Sequence, residues 1–74
     1  MACDFSLTNW PAKRVDSNAT NEQFICAASV YTNFLAKYTD CINAGGTCAE
    51  IRLCIDLAYH NDYCPEHAKC FARP

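Results

Sequence analysis

Residues 59 to 70 read YHNDYCPEHAKC and hold two histidines, two cysteines and two acids in twelve positions. Three chemistries fit such a cluster: a metal centre, part of an active site, or the end of a disulfide framework. His60, Cys64, His67 and Cys70 are all of types that zinc accepts. Their C-x2-H-x2-C spacing, however, is not the paired C-x2-C with H-x3-H of common zinc sites. Pro65 also opens a new helix, so the four do not share one helical face. The expectation is therefore two cystines and two solvated histidines, with no metal and no other cofactor.

The string LAYHNDYC is similar to the His-Asp-x-Cys of secreted phospholipases A2, where the histidine orients a water and the adjacent aspartate holds calcium. Here Asn61 separates His60 from Asp62, and Leu57-Ala58-Tyr59 stands where that family has paired cysteines. Gly45-Gly46 is no calcium loop. A cysteine–histidine nucleophile has no identifiable base partner either. No enzyme is expected.

The elements that must position these residues are few. Seven cysteines in 74 residues exceed the roughly 8% that marks a disulfide scaffold in a short chain. A single domain this small buries only about 60% of the surface its unfolded chain exposes, so covalent staples are expected. The compartment is then oxidising, and we expect a secreted protein, with Met1-Ala2 read as a start added to a mature form; a cytosolic zinc-binding module is the alternative. Net charge is −2 with six scattered bases, which lacks the basic stripe that nucleic acid requires. No apolar run approaches the ~20 residues of a membrane span.

An irregular arm is expected over residues 1–19, because Trp10-Pro11 interrupts helix. Thr20 and Gln23 form a capping-box signature before the periodic run Phe24, Ala28, Tyr31, Leu35, Tyr38, Ile42. Gly45-Gly46 ends that helix, and Thr47 with Glu50 repeats the capping signature. The spacing predicts helices over about 20–43, 47–61 and 64–72, an all-α, disulfide-stapled three-helix bundle. Arg52, Asp56 and His60 make the polar stripe of the second helix, with Arg52 and Asp56 an exposed i,i+4 pair.

Symmetry about the turns suggests the pairings. Cys41 with Cys48 and Cys26 with Cys64 lie symmetrically about Gly45-Gly46, and Cys54 with Cys70 about a second turn near residue 62. Cys3 is left over, available for a bridge to a second copy of the chain.

Apolar residues of the first helix span about 200° of its circumference, twice a usual amphipathic stripe. If the cysteine edge packs on the other helices, Phe24, Tyr31, Leu35 and Tyr38 remain. Either Phe5, Leu7 and Trp10 of the arm close over them, or they stay open as a binding surface. The function expected is recognition of a receptor, channel or host protein. Helical, acidic, cysteine-rich secreted chains of this class occur among pheromones, toxins and effectors. The alternative is a carrier enclosing a lipid or small apolar ligand between helix and arm.

Overall fold

A computed structural model describes residues 3–72. Met1-Ala2, on which the expectation of an added start rests, lie outside the described residues. Helix α1 spans Asn21–Ala44, α2 spans Cys48–Leu57, a π-helical segment spans Ala58–Tyr63, and α3 spans Cys64–Phe71. The arm carries one 3-10 turn, Leu7–Asn9, and no strand occurs among the described residues. The fold is small, all-α and disulfide-rich.

The punctuation is local chemistry. The Thr20 hydroxyl accepts from the Gln23 N–H and the Gln23 side chain accepts from the Thr20 N–H, a complete capping box. Gly45 and Gly46 take φ of +76° and +114°, a reversal that other residues rarely adopt. Thr47 caps α2 by accepting from the Glu50 N–H, while the Glu50 carboxylate turns to the Thr47 hydroxyl instead of its backbone.

The expected second turn near residue 62 is absent. Ala58, Tyr63 and Cys64 keep right-handed helical backbone, and α2 and α3 lie end to end without touching each other. Three predicted helices thus become a two-armed hairpin 44 Å long, with α1 as one arm and α2, the π segment and α3 as the other. Pro65 explains the joint: inside a helix it donates no N–H and its ring crowds the carbonyl four residues back. The helix widens there, and the Cys64 N–H donates to the Tyr59 carbonyl five residues back.

The widening keeps two stripes in register. Buried positions on α1 are Ala27, Phe34 and Cys41, a seven-residue repeat. Those on the second arm are Ile51, Ile55, Ala58, Tyr63 and His67. Their steps are four or three, apart from a step of five across the π segment, which absorbs the extra residue.

The disulfides follow the same register. Cys26 bonds Cys70 and Cys41 bonds Cys54, two rungs joining the arms of the hairpin, and Cys3 bonds Cys48. All three expected pairs are corrected. Cys41 and Cys26 each bond a cysteine six residues beyond the one assigned, Cys54 for Cys48 and Cys70 for Cys64. Symmetry about the turn ignores helix rotation, which decides the side on which a cysteine emerges. Cys48 begins α2 and meets the arm. The joint also removes the turn that was to pair Cys54 with Cys70. The rungs confirm the spacing argument: fifteen residues separate Cys26 from Cys41, sixteen separate Cys54 from Cys70, and the π turn takes up the difference. The unpaired cysteine is Cys64, half-buried against the core, so the expected bridge through Cys3 gives way to an internal bond.

Phe34 is the hub of the core. The rings of Tyr31, Tyr38, Tyr59 and Tyr63 all lie 5.3–6.4 Å from it, centroid to centroid. Their hydroxyls reach outward to the arm. Tyr38 donates to the Phe5 carbonyl, Tyr31 to that of Trp10 (3.0 Å) and Tyr59 to that of Pro11 (2.7 Å), while Tyr63 accepts from the Lys13 N–H (2.7 Å). Trp10 itself is 2% exposed and part of the core.

Peptide mapping of the unreduced protein should yield Cys3–Cys48, Cys26–Cys70 and Cys41–Cys54 links and one thiol, at Cys64. Replacing Cys41 and Cys54 together by serine should cost about 2–4 kcal/mol of stability. A Cys26–Cys64 link would contradict this register.

Candidate functional site

The hairpin has two broad sides, and the arm occupies one. Tyr31 and Tyr38, expected on an open binding surface, lie half-buried beneath the arm with their hydroxyls engaged. Burial, reinforced by the neighbouring Tyr63 and Tyr38, pushes the Tyr31 hydroxyl above the usual tyrosine range. Tyr59 is raised in the same way, first by burial and then by Cys64, Tyr63 and Tyr31. Leu35 packs half-buried against the core, and Phe24 stands apart, 41% exposed near the start of α1. The four residues do not form one open patch.

Arg52 and Asp56 are also placed differently from expectation. The Trp10 indole N–H donates to the Asp56 carboxylate at 2.6 Å, and the Arg52 guanidinium lies over the Trp10 ring at 5.7 Å. The predicted polar stripe of α2 is therefore a seat for the arm. Among the described residues the ion pairs are Lys37–Asp62 and Glu66–Lys69.

Of the cluster at residues 59–70, Cys70 is bonded to Cys26, Cys64 is a thiol, His60 is exposed and His67 is buried, 8% exposed. The zinc set is thus broken up by the disulfide at Cys70. The expectation of two solvated histidines fails at His67, whose ring packs between Tyr63 (5.7 Å) and Phe71 (4.9 Å). Among the described residues its Nε2 has no hydrogen-bond partner. Desolvation, and then the charge of Lys13, lower its pKa below the ordinary 6.5.

The other side of the hairpin is open. Between α1 and α2 runs a groove of about 810 Å³ with Cys41, Ala44, Leu53, Leu57 and Ala58 along it. Leu53 is 58% exposed and Leu57 50%. Their i,i+4 spacing places them side by side on one face. This ridge exists because apolar residues cover about 200° of α2, from Leu53 through Leu57, Cys54, Ala58 and Ile51 to Ile55. Helix α1 covers the isoleucine end of that arc and leaves the leucine end uncovered. The polar stripe of α2 alone does not reveal this ridge; the breadth of the apolar arc does, and it is as legible on α2 as on α1. Among the described residues Asp40 and Glu50 stand at the rim without a cationic partner, and the rim's one cation, Lys37, pairs with Asp62 at 2.9 Å. An aliphatic surface with an acidic border can make apolar and charged contacts.

The chain matches no family model, no curated protein and no solved structure. Among the described residues no helix is long and apolar enough to cross a membrane. The three internal disulfides fit an oxidising compartment.

His67 makes the fold acid-sensitive. Because the unfolded imidazole binds its proton near pH 6.5 and the folded one only lower, stability is full above about 6.5 and falls as pH drops toward the folded pKa. Thermal melts should show a lower midpoint at pH 5.5 than at pH 7.5, and His67→Phe should remove most of that difference. Equal pH dependence in both proteins would contradict the burial of a neutral His67.

Proposed function

We propose that this chain is a secreted recognition module that binds a receptor, channel or host protein through the α1–α2 groove. The observation that carries the reading is the Leu53–Leu57 ridge, half-exposed beside an apolar groove on a frame fixed by disulfide rungs. A soluble chain of this size has reason to bury such leucines, and a partner burying them gains about 25 cal/mol per Å² of apolar area. The rungs reduce the conformational entropy lost on binding, which favours affinity per unit of contact. The groove's shape suits an amphipathic helix or a loop. Its acidic rim, with Asp40 and Glu50 unpaired among the described residues, suits apolar anchors flanked by lysine or arginine.

Immobilised protein should be tested against extracellular proteins of candidate targets in three forms: wild type, Leu53→Glu with Leu57→Glu, and Ile25→Glu. Ile25 is an exposed apolar residue near the opposite end of α1, outside the groove, and serves as the control. A protein partner should be retained by wild type and by the Ile25 variant and lost, at least tenfold in affinity, by the double variant. Disulfide pattern and melting temperature should be unchanged, because neither leucine is core. Retention of every partner by the double variant would place recognition elsewhere.

A further inference from the structure

A second concavity lies on the other side of the molecule, where the arm crosses the first half of α1. It measures about 380 Å³, at the low end of the ~300–1,000 Å³ usual for small-molecule sites. Its wall is apolar: Val15 from the arm, Phe24, Ala27 and Ala28 from α1, and the rings of Tyr31 and Tyr63. Three of these are aromatic. The Tyr31 hydroxyl donates to the Trp10 carbonyl and the Tyr63 hydroxyl accepts from the Lys13 N–H, so both oxygens are held at the arm's backbone. The one charged side chain at the cleft is Lys13, and it has no carboxylate partner among the described residues.

We propose that this cleft binds a small aromatic monocarboxylate, its ring against Phe24, Tyr31 and Tyr63 and its carboxylate on Lys13. Ring faces and alanines define a body of low polarity, and a single unneutralised cation selects an anion over a neutral or cationic ligand. The site is independent of the α1–α2 groove and shares no lining residue with it.

Occupancy should leave a mark beyond the cleft. Lys13 is the charge that disfavours protonation of His67, so a carboxylate placed on Lys13 makes that proton easier to bind. By linkage, the His67 titration midpoint rises when an anionic ligand is present and stays fixed with a neutral one.

The test is an NMR titration of the intact, oxidised protein with 3-phenylpropanoate, and in parallel with the neutral 3-phenylpropan-1-ol. Expected are saturable shifts at Lys13, Val15, Ala27 and Ala28, binding of the alcohol weaker by about three- to fivefold, and a raised His67 midpoint with the acid alone. Lys13→Met should bring acid and alcohol to equal affinity. Ala28→Trp, which fills the cleft from an exposed helical position, should abolish both while the helical dichroism is kept. Equal binding of acid and alcohol by the wild type would overturn the proposal. So would unsaturable shifts, or shifts confined to Leu53 and Leu57.

Discussion

The structure depends on an arm of irregular backbone whose polar groups are satisfied by tyrosine hydroxyls. Backbone carbonyls and N–H groups that belong to no helix need other partners once they approach a core. Here all four tyrosines of the chain supply them, at residues 5, 10, 11 and 13. Each ring packs around Phe34 and each oxygen stops at the arm, so one residue type both fills the interior and fastens its cover. At about 0.5–1.5 kcal/mol apiece, four such bonds are a substantial part of the ~5–15 kcal/mol that holds a small domain together. Trp10 completes the closure, with its own N–H on Asp56.

That arrangement requires the two arms of the hairpin to stay in phase, since Tyr31 and Tyr38 come from one and Tyr59 and Tyr63 from the other. The π segment at Ala58–Tyr63 does this. Without the extra residue it accommodates, Tyr63 and His67 would rotate off the facing stripe by about 100° and Cys70 would leave Cys26. Pro65, the rungs and the tyrosine ring are thus one constraint seen at three levels: local backbone, covalent linkage and packing. The consequence for function is a division of labour. The aromatic side is consumed by the arm, and the aliphatic side, with Leu53 and Leu57, is left over.

Much of this is legible in the residues. Both capping signatures, the glycine stop and the seven-residue recurrence on α1 mark the helices to within a few positions. The 200° apolar arc of α1 demands a cover, and the arm with Phe5 and Trp10 is the available one. The joint was harder to read. Pro65 after a polar stretch resembles a helix start, and only the step of five between Ala58 and Tyr63 distinguishes a widened helix from a turn. The Cys54–Cys70 pairing fell with it, being measured from a turn that does not exist. Cys41–Cys48 and Cys26–Cys64 failed at a turn that does exist, because symmetry about it ignores helix rotation. Arg52 and Asp56 look solvated by spacing alone; that Trp10 settles between them depends on where a non-periodic segment lies, and periodicity carries no information about that. The histidine inside the core was equally hidden, since His67 sits among Glu66, Ala68 and Lys69 in a helix only eight residues long.

Amide hydrogen exchange of the native, oxidised protein tests the closure of the aromatic side most directly. The Lys13 N–H, bonded to the Tyr63 hydroxyl, and the Trp10 indole N–H, bonded to Asp56, should exchange slowly, by the same global opening that exposes the amides of α1. If both exchange at the rate of a free peptide while α1 and α2 remain protected, the arm is not part of the fold and the aromatic side is open to solvent.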